Sequence, residues 1–135
     1  MATLNPYVHF PGTCVEAMKF YQSVLGGKLD IMKIGDSPMA AQMPDMKDQV
    51  LHSNLQNEHI TLMASDMGPK DLKEQMVELT LVCSSKEEIE SLFKGLSEGG
   101  KVTRALTEEF FGTFAQFTDK FGVQWMMQFA KNQQK

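Results

Sequence analysis

Residues 4–27, LNPYVHFPGTCVEAMKFYQSVLGG, carry three structural signals in one stretch. A short extended run breaks at Pro11-Gly12. A helix is announced directly behind the break, because Thr13 and Glu16 have the T-x-x-E spacing of a capping box, in which each side chain satisfies an orphan N–H near the other. Apolar residues then recur at Cys14, Ala17, Met18, Tyr21, Val24 and Leu25, the spacing of one helical face. Gly26-Gly27 supplies the positive-φ stop.

The same punctuation returns in ELTLVCSSKEEIESLFKGLSEGG, residues 78–100. Ser85 and Glu88 stand 72 residues beyond Thr13 and Glu16, and Gly99 stands 73 beyond Gly26. Ile89, Leu92, Phe93 and Leu96 form the apolar face, and Val77 to Cys83 before it alternates as a strand does. The segments behind the two helices also correspond. KLDIMKI, VLHSNLQ and HITLMAS come after the first; KVTRAL, GTFAQFTD and VQWMMQF come after the second. Each half therefore reads strand–helix–strand–strand–strand, an internal repeat. The expected class is α+β: two tandem βαβββ modules, roughly residues 1–67 and 74–130, in a single domain over 1–135. Turns are expected at Asn57-Glu58 and Asp119 to Gly122, a longer loop from Gly35 to Asp48, and a joint at Gly68 to Asp71.

The chain's 135 residues suffice for a core without metal or disulfide staples. A net charge of −4 with no basic block excludes a nucleic-acid footprint. No apolar run reaches the length of a membrane span, and the first ten residues lack the basic and apolar regions of a signal peptide, so cytoplasmic residence is expected. Cys14 and Cys83 have no C-x-x-C spacing and sit in apolar patterns, which makes them small buried hydrophobes. Eleven methionines leave two readings open, irregular core filling and a Met-lined pocket.

Tandem βαβββ modules resemble the vicinal oxygen chelate superfamily, with its glyoxalase/bleomycin-resistance fold. LNPYVHFPGTCVEAMKFYQSVLGGKL, VLHSNLQNEHITLMASD and FFGTFAQFTDKFGVQWMMQF resemble the PhnB-like branch, whose members are labelled 3-demethylubiquinone-9 3-methyltransferase-like. The resemblance covers nearly the whole chain. It implies curved mixed sheets around a cavity, helices outside, and pairing into a homodimer; exposed sheet edges give an independent reason to pair. It also implies, in metal-dependent members, four ligands that hold a divalent ion against vicinal oxygens of the substrate. In this sequence those positions fall on Asn5, on Leu62 or Met63, on Glu78 and on Met126. Only Glu78 suits a hard divalent ion. No metal centre of that kind is expected, and no cofactor.

Strand alternation supplies the expected cavity lining. The first strand gives Asn5, Tyr7 and His9, and the third gives His52 with Asn54. In the second module Val77, Leu79 and Leu81 face the helices while Glu78 and Thr80 face the cavity. On the last strand Gln124 and Met126 share a row with Gln128, opposite Val123, Trp125 and Met127. A few polar groups on apolar walls are the usual make-up of a small-molecule site. Each residue also has a plainer reading: His9, His52 and His59 as strand or surface histidines, Glu78 as an ion-pair partner of Arg104 or a lysine, Trp125 as a core anchor, Ser65 and Asp66 as a turn or cap. A buried Glu78 close to His9 would form a carboxylate–imidazole pair fit for acid–base chemistry. There is no G-x-S-x-G elbow, phosphate loop or dinucleotide fingerprint, and no Gly-rich strand-to-helix turn to support methyl transfer from a nucleotide-type cofactor. Two functions remain: a metal-independent protein that binds a small molecule without turnover, or a metal-dependent lyase, isomerase or dioxygenase-type enzyme with an atypical site.

Overall fold

The computed structural model describes residues 5–67, 77–109 and 112–130. The chain divides into two compact units, Met1–Leu72 and Lys73–Lys135. The joint expected at Gly68 to Asp71 lies outside the described residues.

The first unit runs β1 (Tyr7–His9), α1 (Cys14–Leu25), β2 (Lys28–Lys33), β3 (Val50–Gln56) and β4 (Thr61–Ser65). The second runs β5 (Leu79–Val82), α2 (Lys86–Ser97), β6 (Lys101–Glu109), β7 (Gly112–Thr118) and β8 (Gln124–Ala130). The two open sheets have one topology. The orders are β1-β4-β3-β2 and β5-β8-β7-β6, and in each the first strand lies parallel to the last while the remaining pairs are antiparallel. The parallel pair is what the helical crossover after the first strand permits.

Each helix lies on one face of its own sheet. In the first unit Cys14, Ala17, Met18 and Tyr21 of α1 are buried with Leu55, Leu62 and Ala64. In the second, Ile89 and Leu96 of α2 are buried with Ala115, Phe117, Trp125 and Met127, and Phe93 meets Phe117 edge-on at 5.6 Å. Burying such side chains contributes about 1.5–3 kcal/mol each. Trp125 is the anchor expected of it, its indole N–H donating to Asp119 Oδ2 at 2.8 Å.

The expected helix stops hold. Gly26, Gly27 and Gly99 have positive φ. The second glycine of each pair also lets strands approach: a Cβ on Gly27 would lie 2.7 Å from the Gln56 carbonyl oxygen, and one on Gly100 would collide with that of Thr118. The expected turns form around one acceptor each. Asn57 Oδ1 accepts from the N–H groups of His59 and Ile60. Asp119 Oδ1 accepts from those of Phe121 and Val123.

Three expectations are corrected. Thr13 does not cap α1, since its φ of −106° and ψ of 15° are wrong for the role and its side chain makes no cap bond; a carboxylate beyond the end of β4 takes the exposed N–H groups instead. Val77 does not face a helix. Pairing of β5 with β8 begins at Leu79, and Val77, outside it, is 70% exposed. Asn5 stands before β1 rather than in it, and is exposed.

Candidate functional site

The face of each sheet turned away from its helix collects most of the residues singled out above. In the first unit Ser53 marks the helix side, because its hydroxyl meets Cys14 Sγ at 3.5 Å. Its neighbours His52 and Asn54 therefore project from the other side. Asn54 stands opposite Met63, and Met63 opposite Tyr7. His9 stands opposite Ser65.

These side chains touch. Tyr7 Oη lies 3.3 Å from His52 Nδ1, and Ser65 Oγ lies 3.4 Å from His9 Nδ1. The Tyr7 ring centre is 5.1 Å from that of His9 and 5.8 Å from that of His52. His9 and His52 are half-buried. Asn54 Oδ1 is shut off from solvent with no hydrogen-bond partner among the described residues. A buried acceptor left unpaired costs about 1–3 kcal/mol. His59 is remote in character, its side chain 88% exposed on the β3–β4 turn.

In the second unit Phe117 marks the helix side, and Gln116 projects from the other. Gln116 pairs with Met126, and Met126 with Thr80. The Thr80 hydroxyl donates toward Met126 Sδ at 3.9 Å. Glu78, half-buried just before β5, receives Gln116 Nε2 on both carboxylate oxygens, at 3.3 and 3.2 Å. Its partner is an amide, not Arg104. Arg104 pairs with Glu109 at 4.0 Å and lies 5.7 Å from the Phe114 ring centre. Gln124 joins this face opposite Thr118. The sequence reading missed Gln116, although alternation on GTFAQFT puts it on the same face as Thr118.

The cysteines are free and buried. Burial pushes both thiols up to about 11, with Glu88 adding to the effect at Cys83; at Cys14 the Ser53 hydrogen bond opposes it and Asp66 adds to it. Among the described residues no three of His, Cys, Asp and Glu gather into a metal-binding group, and no helix is long and apolar enough to cross a membrane.

The family model for 3-demethylubiquinone-9 3-methyltransferase matches residues 2–128 of this chain. Protein YjdN of Escherichia coli (strain K12) is 35% identical to it over 146 residues, spanning 96% of this chain and 97% of that protein. Among solved structures, protein PA1353 from Pseudomonas aeruginosa superimposes with a TM-score of 0.85 at 40% identity, over 96% of this chain and 98% of that one. The PhnB protein from Bacillus cereus gives 0.76 at 23% identity, over 96% and 100%. A glyoxylase/bleomycin resistance protein/dioxygenase domain from Frankia sp. EAN1pec gives 0.62 at 15%, over 99% and 96%. The last likeness shows the glyoxalase/bleomycin-resistance architecture.

Proposed function

The chain belongs to the 3-demethylubiquinone-9 3-methyltransferase family, with the glyoxalase/bleomycin-resistance fold of PhnB-like proteins, and we propose that it binds a small organic molecule on a helix-free sheet face without its superfamily's metal centre. The observation that carries this reading is the first unit's helix-free face. There the exposed Tyr7 ring stands between the half-buried rings of His9 and His52. A phenol and two half-buried imidazoles on one face are polar groups of the kind that orient a small molecule. The second unit offers Glu78, Thr80, Gln124 and Met126 in like fashion.

The donor set does not fit the metal that the superfamily implies. Of the four positions, Asn5 is exposed ahead of β1 and Leu62 is buried on the helix side, which leaves Met63 on the helix-free face. Two thioethers and an amide suit soft cations at best. Glu78 is the one suitable oxygen donor, and both its oxygens already accept from Gln116. Methyl transfer finds no support either, since Gly26-Gly27 and Gly99-Gly100 both follow helix C-termini rather than opening a helix. A homodimer is part of the same reading, supported by β6, most of whose residues are exposed along a sheet edge.

Native mass spectrometry of untagged protein, compared with the denatured chain, tests the proposal. A non-covalent organic adduct, lost on denaturation and absent from a His52→Phe variant, is the expected result. A bound divalent ion in place of an organic adduct would favour the metal-dependent enzyme instead.

A further inference from the structure

Building on that reading of the helix-free face, we infer that His9 and His52 of the first unit form a receptor for an oxyanion, a carboxylate or phosphoryl group carried by the small molecule. The Ser65 side chain is buried, at 1% exposure, and its oxygen already accepts the Met67 N–H at 3.1 Å. A hydroxyl has one proton to give, and a buried one needs an acceptor. His9 Nδ1, at 3.4 Å, is that acceptor. At His52 the partner of Nδ1 is a phenol, Tyr7 Oη at 3.3 Å, and a phenol O–H is a stronger donor than a neutral imidazole N–H. Both rings therefore accept at Nδ1 and carry their proton on Nε2.

Among the described residues neither Nε2 has a hydrogen-bond partner. Two N–H donors on half-buried imidazoles thus flank one exposed phenol ring, an arrangement that suits negatively charged oxygen. The same tautomer bars either Nε2 from ligating a metal unless its proton leaves. Asn54, in the neighbouring row, keeps its Oδ1 shut off from solvent, so the two imidazoles and the phenol are what the face offers a ligand. Asp30, opposite Asn54 on β2, is exposed, so water screens its charge.

The chain has three histidines, and His59 serves as the exposed reference, so long-range nitrogen–proton correlation spectra of the labelled full chain test the inference. In their neutral form His9 and His52 should both show the Nε2–H tautomer. Inorganic phosphate should shift those two saturably and leave His59 unmoved. His52→Phe, with His52→Gln as a second variant should the first not fold, should weaken phosphate binding by about tenfold, the loss of one hydrogen bond to a charged group. An Nδ1–H tautomer at either ring, or equal phosphate shifts at all three histidines, would overturn the inference. In that case an organic adduct in the native mass spectrum would still leave the broader reading standing; absence of any adduct would remove the broader reading while the tautomers are judged on their own.

Discussion

The two helices occupy equivalent places in equivalent units, yet their N-termini are satisfied by different means. At α2 the solution is local. Ser85 Oγ accepts the Glu88 N–H at 3.1 Å, and Glu88 Oε1 reaches back to the Ser84 N–H at 2.7 Å and its hydroxyl at 3.0 Å. This is the expected capping box with its return bond moved one residue, to Ser84. At α1 the solution comes from 52 residues away. Asp66 Oδ1 accepts the N–H groups of Gly12 and Cys14, both at 3.0 Å, while Oδ2 accepts that of Val50 at 2.9 Å. One carboxylate ties the start of α1 to the start of β3 from the end of β4. A charged acceptor at a helix N-terminus gains from charge-assisted bonds and from the helix dipole, so it displaces the hydroxyl of Thr13. One sequence pattern, T-x-x-E or S-x-x-E, thus marks where a helix starts without saying what holds the start.

The largest expected effect comes from that contrast. Asp66→Ala leaves three backbone donors without their carboxylate and should cost roughly 3 kcal/mol, read as a lowered denaturant midpoint. Amide exchange should accelerate at Gly12, Cys14 and Val50 while α2 is unchanged; unaltered exchange at all three would erase the distinction between the helices. The thiols give a second comparison, one per unit. In the unfolded chain each ionises near the ordinary 9.0, whereas in the fold each stays protonated up to about 11. Above about pH 9 the unfolded state has released protons that the native state retains. The thiols' contribution is therefore complete below about pH 9 and lost as pH rises toward 11. Alkaline denaturation should show this, and Cys14→Ala and Cys83→Ala should each flatten it. Ser85→Ala should cost about 1 kcal/mol, the ordinary value of a lost N-cap. Thr13→Ala should change stability by less than about 0.5 kcal/mol. A Thr13 effect equal to that of Ser85 would mean that α1 is capped locally after all.

Much of the architecture was readable from punctuation. The β3 boundaries match VLHSNLQ, both apolar helix faces are right, and Asn57 and Asp119 sit at their turns, because spacing and turn chemistry are local properties. Non-local features escaped. Nothing within reach of Thr13 announces Asp66 as its replacement. β6 runs through Glu109 rather than ending at Leu106, since pairing with β7 continues to Glu109↔Gly112 past two register shifts. Alternation placed Tyr7, His9 and His52 on one face, yet only the register brings His9 opposite Ser65 and Tyr7 within reach of His52. Glu78 was legible as polar and inward, but its partner came from another strand. Charge alone points to Arg104 or a lysine, whereas the half-buried carboxylate meets the amide of Gln116.

The claim on which the rest depends is that the donors on these faces serve an organic molecule and not a hard cation. The decisive test is the metal content of the untagged protein after equilibrium dialysis against Mn²⁺, Ni²⁺ or Zn²⁺. Far less than one equivalent should be retained per chain, unchanged in Glu78→Gln. One full equivalent, lost in Glu78→Gln or His52→Phe, would refute the claim.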